Sequence, residues 1–319
     1  MQRSLLLLAK LAATGTLIYW SVRKVSLEAI VDRLGEIRFV WVAILIAILI
    51  AQIALQAIRW RCIVETFGPK LADAAAIRIC LIAAFFNQTL ISTIGGDAAR
   101  VLSLQRRHHT GWRVAAYSVF VDRAVGVFAL AFLVAICLPW TFTMVQDPVA
   151  RIAVTVIGLG GILAGIVFAM LSAAKETWLS RLWGMEELIA ASAGLRQLAA
   201  SPGTATFVAI ASIVVILMGV ASAWAAAQSI GASVSFLQLT SIIPPIILLA
   251  TIPITIAGWG LRESLMITGF TLAGLPAGDA LVISLLLGAS NFLVGLIGGG
   301  LWIAEGGTTP PPPHDPEAP

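Results

Sequence analysis

The sequence predicts an all-α integral membrane protein of about six transmembrane helices plus two re-entrant, broken helices, arranged as an inverted 3+3 repeat. Three observations predict it. Hydrophobic residues fill 59% of the 319 positions and charged residues only 11%, with a mean hydropathy of +0.98, whereas a soluble domain is about 25% charged. Six apolar stretches approach the roughly 20 residues that a helix needs to cross the hydrocarbon core. Two more are apolar but interrupted.

The first stretch, 4–22, follows Arg3 and is interrupted by Lys10; with no small-residue cleavage site after it, it reads as a retained anchor rather than a signal peptide. The other continuous stretches are 39–58, 114–138, 149–171, 205–228 and 279–303. Stretch 74–94 is broken by Asn87, Gln88 and Gly95-Gly96, and 236–257 by Pro244-Pro245, Pro253 and Gly258. Broken backbone at membrane depth survives only where protein or a wet cavity satisfies it, so both are expected to re-enter rather than span. Leu27, Ile30, Val31 and Leu34 are spaced for a short interfacial helix at 24–37, and a similar pattern recurs at 178–199. The proline-rich residues 305–319 cannot pack a core and are expected to be disordered.

Basic residues orient these elements. If 74–94 turns back, Arg59, Arg61, Lys70 and Arg78 share one side with Arg100, Arg106, Arg107 and Arg113, and the positive-inside rule makes that side cytoplasmic. Residues 139–148 and 229–237 carry no Lys or Arg and fall outside, which leaves both termini cytoplasmic. One loop runs against the rule: 23–38 falls outside with Arg23, Lys24, Arg33 and Arg38. The expected setting is a bacterial cytoplasmic (inner) membrane.

Residues 1–144 and 145–304 then repeat one order: crossing, interfacial helix, crossing, broken segment, crossing. Each half has an odd number of crossings, so the halves run through the membrane in opposite directions. Thr93-Ile94-Gly95-Gly96-Asp97-Ala98-Ala99-Arg100 also aligns with Thr255-Ile256-Ala257-Gly258-Trp259-Gly260-Leu261-Arg262. Inverted repeats with broken helices at the midplane are a recurring transporter construction.

Arg100 and Arg262 each lie about one turn inside a helix whose start faces a glycine break. Free N–H groups and an arginine fork suit an anion such as phosphate there, with Gly95, Gly96, Asp97, Gly258 and Gly260 shaping the site. The plainer reading is that Asp97 caps its helix and the arginines snorkel. Asp122 and Arg123 sit roughly 15 Å along their helix, where each charge needs a partner. Cross-pairing of Asp122 with Arg262 and of Arg123 with Glu263 is expected to neutralise four costly charges. Arg59 closes the second crossing in Arg59-Trp60-Arg61, an arrangement that equally suits an interfacial anchor. Asn87, a buried amide in a broken segment, is a candidate for lining a polar path.

Other chemistry finds little support. The basic balance, +4 at pH 7, clusters at segment ends and indicates membrane orientation rather than nucleic-acid binding. Cys62, Cys80 and Cys137 have no metal spacing, His108 and His109 have no ligand partner, and no metal or cofactor is expected.

These letters resemble a known family, the lysylphosphatidylglycerol-synthase transmembrane region or flippase-like domain. The resemblance runs through Arg59-Trp60-Arg61, Phe86-Asn87, Gly95 to Arg100, Ser118 with Asp122-Arg123 and Gly126, and Gly258-Trp259-Gly260-Leu261-Arg262-Glu263. It implies movement of a polar- or anionic-headed lipid, such as a phospholipid, glycolipid or hopanoid type, between leaflets. In the multiple peptide resistance factor such a region precedes an aminoacyltransferase domain; no such domain follows Trp302 here, so lipid aminoacylation is not expected. The expected partners are membrane lipids, with a second copy or lipid-synthesis enzymes as further candidates. A lipid transporter, not an enzyme, is the leading reading. An intramembrane enzyme on a lipid phosphate and a non-transporting scaffold of a lipid-synthesis complex are the alternatives.

Overall fold

The computed structural model describes residues 37–89, 95–108, 110–174, 185–251 and 260–306, with positions 16 and 35. Among these the chain is helical without strands. In order the helices are α1 (Phe39–Thr66), α2 (Asp73–Thr89), α3 (Gly95–Arg107), α4 (Trp112–Met144), α5 (Pro148–Met170), α6 (Met185–Ala199), α7 (Pro202–Ser229), α8 (Phe236–Ala250), α9 (Leu261–Leu272) and α10 (Ala277–Ala304). This is an all-α integral membrane protein. Helices α1, α4, α5, α7 and α10 are long and apolar enough to cross a bilayer, and α8 is a shorter apolar helix. The expected crossing at 4–22 except Thr16, and all of 24–37 except Gly35 and Ile37, lie outside the described residues.

Two crossings are longer than expected. Helix α1 continues past residue 58 to Thr66, because Arg59 and Trp60 are buried among neighbouring helices instead of ending it at the interface. Helix α4 runs from Trp112 through Pro139 to Met144, about 50 Å at 1.5 Å per residue, against the 114–138 expected. Its length exceeds the hydrocarbon core, so its ends extend beyond it. Local chemistry fixes several helix starts. The Asp147 carboxylate accepts from the Ala150 N–H at 2.7 Å ahead of Pro148, and Ser235 and Gln238 form a reciprocal capping box on α8.

Both broken segments fold into helical hairpins. A Cβ on Gly96 would lie 2.5 Å from the Ala83 carbonyl oxygen and from the Asn87 side chain, so α3 returns along α2 at glycine distance. Ala76, Cys80 and Leu104 share one apolar cluster further from the turn. Gly269 of α9 likewise faces Ile242 and Ile246 of α8. Residues 90–94 and 252–259 lie outside the described residues.

The packing recurs in pairs. Helix α2 lies on α10, as α8 lies on α4; α1 and α7 pack on each other; and α3 rests on α4, as α9 rests on α10. Gly295, Gly298 and Gly299 let α10 approach the α2 backbone near Leu81 and Phe85, the small-residue contact by which membrane helices gain van der Waals packing. Helix α5 leans one glycine face on α4 and exposes Ile152, Val156, Leu159 and Leu163, as a lipid-facing helix does. Helix α6 buries Ile189 and Leu198 against the bundle. Glu305, assigned to the tail on sequence, is instead anchored by Arg78 at 3.0 Å, because it directly follows the last turn of α10, which lies beside α2; residues 307–319 lie outside the described residues.

Candidate functional site

Asp122 of α4 is the centre of the first hairpin's polar interior. Only 1% of its side chain is exposed. Its Oδ1 accepts from Arg59 Nε of α1 at 3.0 Å, with Arg59 Nη2 at 2.8 Å, and its Oδ2 accepts from Arg100 Nη2 of α3 at 2.8 Å. Arg59 Nη1 also donates to Ser212 Oγ of α7 at 3.1 Å. Three helices therefore meet on one carboxylate, and Arg59 ties in a fourth. Burying ions is costly unless they are paired and their remaining donors satisfied, and this geometry meets most of that requirement. The Arg100 guanidinium also stacks over the fully buried Trp60 ring, 4.4 Å from its centroid.

Arg123, next in sequence to Asp122, points to a different partner. Its Nε and Nη2 donate to the two Asp97 oxygens at 2.9 and 3.2 Å, a bidentate pair. Asp97 lies 3.7 Å from Arg100 Nη1 as well. The Asn87 Oδ1 accepts from the Gly96 N–H at 3.0 Å, so Asn87 caps α3 from the facing helix. Gly95 begins that helix and is buried. Gln56, Cys80, Asn87, Asp97, Arg100 and Arg123 line a cavity of about 60 Å³ at this point. Three guanidiniums (Arg59, Arg100, Arg123) meet two carboxylates (Asp97, Asp122), so the cluster keeps one positive charge in excess.

The second hairpin holds its own charges. Glu263 Oε2 accepts from the Gly260 N–H at 2.6 Å, across a backbone with φ of +82° that favours glycine. Glu263 Oε1 accepts from Arg262 Nη2 at 2.6 Å and from Ser284 Oγ at 3.1 Å, while Arg262 Nε donates to Ser284 Oγ at 3.0 Å. Gly258 lies outside the described residues.

The expected cross-pairing of Asp122 with Arg262 and of Arg123 with Glu263 is corrected by these contacts. Each hairpin arginine reaches the helix that its own helix rests on, Arg100 to Asp122 and Arg262 to Ser284, because α3 rests on α4 and α9 on α10. Sequence neighbours Arg262 and Glu263 do pair, since Glu263 curls back over the helix start and presents an oxygen to Arg262. The reading of Asp97 as a simple cap is also corrected: Asn87 supplies the cap and Asp97 holds Arg123. Arg59 and Arg100 are 4% exposed and do not snorkel, so they drop out of the loop charge counted to orient the chain. Ser212, Ser284 and Gln56 were not singled out, and Trp60 and Cys80, noted as an anchor residue and a thiol without metal spacing, were given no place at the site. For Trp60 and Ser284 a signal existed: the ring sits one residue from a buried arginine, and Ser284 lies as far beyond Arg262 as Asp122 lies beyond Arg100.

A family model described as the lysylphosphatidylglycerol synthase TM region matches residues 7–299. The chain belongs to this family. No curated protein matches the chain. The lysylphosphatidylglycerol synthase TM region is a membrane domain associated with lipid handling, and its matched span includes both hairpins and the charged contacts around Asp122, Asp97 and Glu263.

Proposed function

We propose that the chain moves a lipid with an anionic or polar head between leaflets, with the Arg100 cavity as the head-group site, and that it does so as a transporter rather than an enzyme. The observation that carries this reading is the buried excess of one positive charge beside a helix start, lined by a guanidinium fork. A helix start and a fork both favour a phosphate oxygen over a neutral head. The second hairpin pairs one arginine with one glutamate and offers no such excess in that pair. Residues 1–144 and 145–304 act as two inverted units, with the hairpins as the moving or lining parts. Membrane lipids are the partners; both termini face the cytoplasm and the membrane is the inner one, a placement supported by the basic residues Lys70, Arg106 and Arg113 beside α2, α3 and α4.

Native mass spectrometry of the purified protein with mixed phosphatidylglycerol and phosphatidylcholine tests this. Retained phosphatidylglycerol should exceed phosphatidylcholine in the parent, and Arg100→Gln should abolish the preference. Equal retention of both lipids by the parent would sink the head-group assignment.

A further inference from the structure

The Asp97–Arg123 pair stands between two spaces of opposite character. On one side lies the polar cavity beside Arg100. On the other lies a surface groove of about 470 Å³ between α3 and α4, lined by Ala98, Val101, Leu102 and Phe120, with Asp97 and Arg123 at its polar end. The groove falls within the roughly 300–1,000 Å³ of small-molecule pockets, and its walls are apolar apart from that pair. Leu102 and Phe120 are 38% and 43% exposed, so the groove opens outward, where a membrane protein meets lipid. Asp97 and Arg123 line both spaces, so whatever passes from one to the other passes this pair.

Partners of the two residues differ in a way that favours opening. Arg100 is clamped between Asp122 and Trp60 at 4% exposure, whereas the Arg123 side chain is 46% exposed and the structure gives it Asp97 as its ion-pair partner among the described residues. Arg100 Nε is buried without a hydrogen-bond partner among the described residues, which leaves a donor for an arriving anion. A partly exposed ion pair contributes little to stability, so it opens readily.

We infer that Asp97–Arg123 is a lateral threshold: an anionic lipid seats an acyl chain in the α3–α4 groove and carries its phosphate past this pair to Arg100. The occupant is a lipid rather than a peptide because an apolar, outward-facing wall and a one-charge anion site share a border. This inference rests on the proposed head-group site and adds the route to it.

The test uses phosphatidylglycerol carrying a diazirine in its head group, in vesicles with the full chain, and reads labelling of the 95–107 peptide over time. Asp97→Cys with Arg123→Cys removes one anion and one cation together, so the excess charge stays; joining the thiols with a reducible linker should slow labelling by about tenfold or more, with recovery on reduction. Labelling at the same rate with the linker intact overturns the threshold. Asp97→Asn with Arg123→Gln, which weakens the closure at unchanged excess charge, should speed labelling by about threefold, the scale of a partly exposed ion pair. An unchanged rate there likewise overturns it. Arg100→Gln separates the two claims: if it labels like the parent, the head-group site itself fails; if it loses labelling while the linked protein does not, only the threshold fails.

Discussion

The two hairpins share a plan and differ in where the arginine finds its carboxylate. In the first, Arg100 crosses to Asp122 on α4, which also holds Arg59 of α1; in the second, Arg262 meets Ser284 at the corresponding place on α10 and takes its carboxylate from the adjacent Glu263. The surrounding residues differ in the same sense. Cys80 and Asn87 line a polar cavity in the first hairpin, while Ile242, Pro245, Ile246 and Leu249 of the second line an apolar cavity of about 220 Å³ with Thr141 and Thr268. A tertiary ion cluster ties four helices together and leaves a cation in excess; a local pair neutralises itself within one turn. One scaffold thereby provides a charged side and an apolar side.

The largest expected difference is in stability. Asp122→Asn strands two buried guanidiniums and should cost about 3–5 kcal/mol, seen as a large loss of midpoint in a detergent unfolding titration. Glu263→Gln keeps an amide near the Gly260 N–H and takes the carboxylate charge from beside one half-buried arginine that still reaches Ser284, so about 1–3 kcal/mol is expected. Equal losses would erase the distinction between a tertiary and a local carboxylate. Asp122→Asn combined with Arg262→Gln should show additive losses, since the residues belong to separate clusters.

Gly96→Ala probes the first hairpin's close approach. The added methyl meets the Ala83 carbonyl and the Asn87 cap, so about 1–3 kcal/mol is expected in the same titration. A smaller effect should come from moving the second half toward the first. Glu263→Gln with Ser284→Asp restores a carboxylate to Arg262 from α10 and should recover about 1 kcal/mol of the Glu263→Gln loss, read as the interaction term of a double-mutant cycle. No recovery would mean that the two arginines are not held in equivalent places. A topological check carries no energetic effect: Lys70→Cys and Gln105→Cys should label from the same face, and Gln146→Cys from the other. Labelling of Lys70→Cys and Gln105→Cys from opposite faces would mean that α2 and α3 together span rather than fold back.

Charges at membrane depth were legible from sequence because Asp122, Arg123, Arg262 and Glu263 interrupt runs that are otherwise apolar. Their partners were not. Arg59 lies 63 residues before Asp122, and a helix end set at residue 58 turned it into an interfacial anchor; the true end at Thr66 carries Arg59 and Trp60 into the bundle. The Arg262–Glu263 pair escaped a rule valid for helix interiors, because a residue in the first turn can curl back to the helix start. The broken segments were visible through Gly95-Gly96 and Pro244-Pro245, yet the close return of α3 on α2 depends on Gly96 facing Ala83, a pairing that no local pattern encodes.

The most direct measurement compares two conservative variants in vesicles. Arg100→Lys keeps the charge and loses the fork, so initial translocation of a fluorescent phosphatidylglycerol should fall by about tenfold, equivalent to about 1.4 kcal/mol of transition-state stabilisation. Arg262→Lys, in a pair that is already neutral, should change the rate by less than about threefold. If Arg262→Lys is instead the crippled variant while Arg100→Lys moves lipid like the parent, the head-group site lies in the second hairpin and the charged cavity of the first is a packing device.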